Sequence, residues 1–396
     1  MEYFYYLLHS DTFGVISLYN SILLFSFLFG SFSQTKITHC GTIKHDYKFK
    51  PIFFYTAFFL LWFFLVFNKT GSDLQQYIYS YNSSSIDINW VLEDKVEIGF
   101  KFLNAVLHNV ITDPYVGIGV IKTISLFLFF LSLYNMKDDI DISIAILFYV
   151  AVFYFHGFSA IRSTLAGSLC ILSSVLLYKG KTVKALMLSL IAFTVHSSAL
   201  LFVIALFGFG LYRLFRILGR IRKYFITVSI PLIILLGTTV INYFIHNTAL
   251  LPSRYSNFMS ENSSFGIGQL VYYLPVFILI IYANKCFINR RILEHNFLWT
   301  ISGFVVAIIG YELGMISRAS IYFCFPFVIF IPFYLRAKAE STRCFDQKKN
   351  NSVLILGLKY SHLRTVCFLY CLFRYFFTIS GIFYSSAIYE FRFIWQ

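Results

Sequence analysis

The chain has 396 residues, of which 58% are hydrophobic, 21% aromatic and only 13% charged, with a net charge of +14. A soluble chain of this length has too few charges to cover so much apolar surface, and its repeated apolar runs match the roughly 30 Å hydrocarbon core of a bilayer. Runs such as residues 53–67 are apolar on every side rather than at alternate positions, which excludes a β-barrel.

The expected fold is therefore an all-α polytopic integral membrane protein of about 11–12 hydrophobic helices. In chain order the spans fall near 12–32, 51–67, 114–135, 140–156, 158–178, 185–196, 197–212, 224–246, 267–284, 296–311, 319–335 and 365–386. No cleavable signal peptide is expected, because no Lys or Arg precedes the first apolar run. There is no internal repeat or long linker, so a single transmembrane domain over 1–396 accounts for the sequence.

Charge sorting orients these spans. Most of the 32 Lys and Arg residues fall in segments 36–50, 179–184, 213–223, 285–291 and 336–364. Basic loops stay in the cytoplasm, so these segments are expected inside, with 68–113 and 247–266 as the large outer segments and both termini outside. Residues 185–212 test this arrangement. As one helix they would extend about 42 Å and carry the basic cluster after Arg213 to the outside. A break at His196-Ser197-Ser198 restores the charge rule, and interrupted helices are tolerated where they line a cavity.

With this topology the unusual polar residues gather at the outer side. Asp73 follows the second span, Glu97 precedes the third, Arg162 opens the fifth and His196 sits at the break. Arg254 lies in the outer segment 247–266, while Glu312 and Arg318 flank a later turn. Arginines beside a histidine suit an anionic ligand such as a phosphate or diphosphate, because guanidinium pairs with phosphate oxygens in a bidentate fork. A neighbouring carboxylate can act as general base or simply neutralise one arginine.

Each residue also has a plainer reading. Arg162 and Arg318 stand close enough to helix ends to snorkel to headgroups. His196 can be a hydrogen-bonded core residue, and Asp73 can cap a helix beginning at Leu74. Glu97 and Glu312 can be solvated loop residues, and Lys122 and Arg374 are isolated within spans. Tyr77, Tyr79 and Tyr81 beside Asp73 can stack on sugar rings or belong to an interfacial aromatic belt. The seven cysteines have no metal-ligand spacing. No phosphate-binding glycine loop, dinucleotide fingerprint or zinc-protease motif occurs, so no metal and no cofactor are expected.

The order GSDLQQYIYSY (71–81), EIGFKFLN (97–104), IRSTLAGSLCILSSVLLYKGK (161–181) and AFTVHSSALL (192–201) resembles the EpsG-like group of Wzy-type O-antigen and capsule polymerases. SRY (253–255) and SRASIYF (317–323) are compatible with it, and Ser163 departs from it where Gln often follows the Arg. The resemblance implies a GT-C-like membrane architecture and a bacterial inner-membrane glycosyltransferase with its site facing outward. Such an enzyme transfers a glycan from undecaprenyl diphosphate to the non-reducing end of a second lipid-linked repeat unit. Its partners would be those donors and acceptors, the bilayer, and a chain-length regulator and flippase, with no nucleic acid. It implies Arg162, Arg254, Arg318 and Tyr77 as substrate-binding residues. His196 would stabilise the leaving group or position the donor, and Asp73, with Glu97 as the alternative, would be the base. The other readings are a lipid-linked oligosaccharide flippase and a membrane acyltransferase acting on surface glycans.

Overall fold

In the computed structural model the apolar runs are helices, which satisfy their own backbone polar groups as a bilayer requires. The structure describes residues 10–38, 45–86, 97–215, 321–346, 360–385 and 391–395, with single positions between 273 and 304 and at 388. Arg254, Glu312, Arg318, the segment 247–266 and the basic segment 285–291 lie outside the described residues. So do the span expected at 224–246 and most of those at 267–284 and 296–311.

The chain divides into two compact units, Met1–Ser197 with Val328–Gln396, and Ser198–Phe327. The first unit begins with α1 (Ser10–Phe32), followed by a two-stranded antiparallel ribbon, β1 (Gln34–Thr38) and β2 (His45–Phe49). This ribbon was not foreseen in the basic segment 36–50. The Gln34 amide donates to the Lys137 and Ile140 carbonyls and accepts from the Ile142 amide, which ties the ribbon to the turn after a later helix.

Pro51, at the first helical position where no N–H is needed, opens α2 (Pro51–Val66). Two short helices follow, α3 (Leu74–Asn82) and α4 (Ile98–His108). The longer α5 (Pro114–Asn135) has Pro114 at its start and Asp113 as its cap, the carboxylate accepting from the Tyr115 and Val116 amides. The Tyr81 hydroxyl of α3 donates to the Ile111 carbonyl at 2.8 Å. Burial, with the Asp113 charge as a second cause, raises the pKa of this phenol, so it stays a donor.

The span expected at 140–156 is interrupted. It runs as α6 (Ile142–Tyr149), widens to a π-helical turn at Val150–Tyr154 and ends in the single turn α7 (His156–Ser159). Such π turns cluster at functional sites; here the turn leads directly to Ala160, whose non-helical backbone separates α7 from α8 (Ile161–Tyr178). α9 (Thr182–Val195) then packs its small residues Ala185, Ser189 and Ala192 inward. The hydroxyl of Ser173 on α8 donates to the Ala185 carbonyl at 2.7 Å.

His196 is extended (φ −150°, ψ 119°), and a short 3₁₀ turn (Ser197–Ala199) separates it from α10 (Leu200–Phe215). The chain therefore breaks at the residue where the charge count required it. In the second unit, which holds α10 and α11 (Ile321–Cys324), Phe202 stacks on Trp299 and Trp299 meets Phe323. The last helices are α12 (Phe327–Asp346) and α13 (Tyr360–Ser385). Arg364 of α13 pairs with Asp141 at 3.1 Å and donates to Ser143 at 2.8 Å, fixing it to the start of α6.

Among the described residues, Phe13–Phe32, Pro114–Asn135, Ile161–Tyr178 and Leu363–Gly381 are long and apolar enough to cross a membrane. Pro51–Val66, Ile142–Tyr154 and Thr182–Val195 are shorter apolar helices. The mostly helical build with these apolar helices makes the chain a polytopic α-helical membrane protein.

Candidate functional site

Local backbone chemistry brings four distant segments of the first unit together. Gly71 has φ +133°, a conformation that only glycine adopts without strain, and a Cβ there would collide with the Phe158 carbonyl oxygen. The turn 71–73 thus lies against the lead-in to α8. The Ser72 and Ser159 hydroxyls meet at 2.9 Å, and the Asp73 amide reaches Ser159 Oγ at 3.4 Å. Gly99, in the first turn of α4, is pressed on Thr194 near the end of α9 in the same way. The first contact sets α3 against the lead-in to α8, and the second sets α4 against the end of α9.

Glu97 is the centre of the cluster. Its side chain is 5% exposed, and it holds a left-handed backbone (φ 69°, ψ 34°), strained for a residue other than glycine. One carboxylate oxygen pairs with the Arg162 guanidinium; the other accepts from His196 Nδ1 at 2.8 Å. Because a carboxylate only accepts, Nδ1 carries the ring proton and the Nε2 lone pair is the basic one.

Arg162 is fixed on its other sides by rings. Its Nε donates to the Tyr77 hydroxyl at 3.4 Å, and the guanidinium lies 5.4 Å from the Tyr77 ring centre and 5.9 Å from that of Phe100. The two rings meet edge-on at 5.8 Å. Stacking holds the planar group in one orientation. Among the described residues Nη2 has no protein acceptor, and the side chain is 27% exposed.

Four of the candidate residues, Tyr77, Glu97, Arg162 and His196, therefore share one cluster. The solvated-loop reading of Glu97 and the snorkelling reading of Arg162 do not hold in this geometry. Asp73 is a neighbour rather than a member. Its carboxylate accepts from Ser72 Oγ at 3.2 Å and makes no capping bond, so the cap reading fails too. It stands one helical turn before Tyr77, on the same face of α3. Arg254 and Arg318 lie outside the described residues. Reading single residues passed over Phe100, Ser159, Gly99 and Thr194. Phe100 and Gly99 were nonetheless visible in EIGF, where a glycine beside a carboxylate signals close backbone approach.

Lys122 and Arg374 are both buried. Lys122 reaches the Asn68 carbonyl at 3.5 Å, near the end of α2, where a cation suits the helix dipole. Arg374 lies inside the first unit with its guanidinium 5.9 Å from the Phe377 ring. The C-terminal residues return to the segment after α2. Lys69 donates to the Arg392 carbonyl and Ile394 to that of Phe67, adding a short backbone pairing just before the Gly71 turn.

A bundle of apolar helices with an arginine, a glutamate and a histidine bonded together where four helices meet is a membrane protein with a polar, anion-competent site. The chain belongs to the EpsG family, whose sequence model matches residues 51–393 and so spans every member of this cluster. EpsG-like polymerases are Wzy-type, and membership is consistent with a glycosyltransferase-like polymerase in polysaccharide biosynthesis. No curated protein and no solved structure matches the chain.

Proposed function

We propose that this protein polymerises lipid-linked oligosaccharide repeat units of a surface polysaccharide such as O-antigen or capsule, at the outer face of a bacterial inner membrane. The observation that carries this reading is the single carboxylate, Glu97, bonded to both Arg162 and His196. The pair joins an orienting acid and a base to a guanidinium suited to diphosphate, which is the equipment that glycan transfer from a polyprenyl diphosphate needs.

The donor is a glycan on undecaprenyl diphosphate, and the acceptor is the non-reducing end of a second lipid-linked unit. The acceptor hydroxyl attacks the anomeric carbon, a C–O bond forms, and the bond from that carbon to the diphosphate oxygen breaks. His196 Nε2 takes the hydroxyl proton, Glu97 holds the imidazole and balances the imidazolium, and Arg162 takes charge developing on the leaving diphosphate. Asp73, half-buried one turn from Tyr77, orients the acceptor. Arg254 and Arg318 are proposed as further diphosphate contacts, by resemblance to the family. The leaving group drives the step, so no nucleotide is required.

Glycan chain length tests this reading. Removing the protein from its native cell should leave single repeat units on the carrier or its final anchor. Loss of all surface glycan would instead identify a flippase, and full-length chains lacking a decoration would identify an acyltransferase.

A further inference from the structure

Lys122 is a buried ammonium that the chemistry described above does not use. It lies on α5, 2% exposed, and among the described residues no carboxylate pairs with it. An unpaired charge inside a membrane protein is costly, and such residues mark functional positions. The packing of α5 delivers this one to a single place. Gly119, one turn earlier, lies so close to the end of α2 that an added Cβ would stand 3.0 Å from the Val66 side chain. The Trp62 indole of α2 donates to the Thr123 hydroxyl at 2.9 Å. Held to α2 in this way, α5 brings Lys122 Nζ to 3.5 Å from the Asn68 carbonyl, just past the negative end of that helix.

Asn68 is fixed from the other side as well. The Ile394 amide donates to the Phe67 carbonyl and the Lys69 amide to the Arg392 carbonyl, at 3.0 and 2.9 Å. Successive carbonyls of an extended chain point to opposite sides, so that of Asn68 faces away from the C-terminal segment and toward α5. From Asn68 the constraint passes to the site. Its side-chain oxygen accepts from both the amide and the hydroxyl of Thr70. Thr70 leads into Gly71, which sets the turn against Phe158, and Ser72 and Asp73 then meet Ser159.

Resting on the function proposed above, we propose that Lys122 is a positioning residue for the acceptor side of the site. It fixes residues 68–73 between α5 and the C-terminal segment, and so sets where Asp73 stands. It touches no substrate. Glu97, Arg162 and His196 are carried by α4, α8 and the end of α9, so the donor side does not depend on it.

Lys122→Met removes the charge and keeps much of the volume. Replacing a buried charge by an apolar residue of similar size is often neutral or stabilising, so the thermal midpoint in detergent should not fall. Turn position is read on the full-length protein in membranes by oxidative crosslinking of Ser72→Cys with Ser159→Cys, whose hydroxyls lie 2.9 Å apart. The comparison is Ser125→Cys with Ser168→Cys, whose hydroxyls lie 3.1 Å apart between α5 and α8. Lys122→Met should lower the first crosslink several-fold and leave the second. Elongation is measured with the repeat unit on a simple alkyl glycoside, which lacks a diphosphate and can only accept. The KM for this acceptor should rise roughly 10–10²-fold with kcat little changed. An unchanged first crosslink, or an equal fall in both with a lowered midpoint, would overturn the positioning role, as would an acceptor KM at the parent value. Chain length after gene deletion is read separately. Unchanged polymer there ends the polymerase reading, while the crosslinks still decide whether Lys122 holds the turn.

Discussion

Glu97 and His196, 99 residues apart in sequence, meet at 2.8 Å through Oε1 and Nδ1, while the second oxygen of Glu97 holds Arg162. The consequence is a unit rather than three separate residues, because losing the carboxylate changes the ring tautomer and the arginine orientation together. Both Glu97→Gln and His196→Gln should lower the elongation rate by about 10²–10⁴-fold. The double variant should be little worse than either single one, since groups that act as a unit are not additive. Losses that multiply in the double variant would show that the two residues act independently.

Arg162→Lys keeps the charge and removes the planar fork and its stacking on Tyr77 and Phe100. Elongation should fall by about 10²–10³-fold, with membrane insertion and yield unchanged. Wild-type glycan chain length in this variant would end the diphosphate role of Arg162.

Gly71→Ala should destabilise the protein, because φ +133° is closed to alanine and its Cβ meets the Phe158 carbonyl. Backbone strain of this kind costs on the order of 1–3 kcal/mol, and the collision adds to it. Thermal unfolding in detergent reads the change as a lowered midpoint. Gly30, where an added Cβ would stand 3.1 Å from Ile146 and Ser143 but φ is not positive, provides the comparison and should tolerate alanine better.

Orientation can be read from position 197. Ser197→Cys places a thiol beside His196 in the break between α9 and α10. An impermeant thiol reagent applied from outside should label it above the unsubstituted protein. Labelling only from the cytoplasmic side would reverse the proposed topology and detach the site from externally delivered substrate.

The break at His196 shows how much of this protein is legible before folding. Span length and the basic cluster after Arg213 located it to His196-Ser197-Ser198, because the cost of placing charge across a bilayer acts on short stretches of chain. The same reasoning found the helix starts at Pro51 and Pro114, which depend only on local backbone chemistry. It missed the ribbon in 36–50, whose strands are held by pairing and by Gln34 binding carbonyls of a turn about 100 residues away. The π-helical turn at 150–154 left no trace in the hydropathy either, since every residue of VAVFY is apolar and buried.

Composition, periodicity and charge by themselves determined the membrane class and the residue types able to meet an anion. Their order along the chain carried the family. Only the tertiary structure decided that Glu97, rather than Asp73, joins Arg162 to His196. The reason is physical: both carboxylates sit at the start of a short helix, and the sequence reading put Asp73 first. Gly99 lies against Thr194 two residues from Glu97, while the turn at Gly71 leaves the Asp73 carboxylate with the Ser72 hydroxyl. Contacts of that kind depend on how helices pack, and no local property of the chain encodes them.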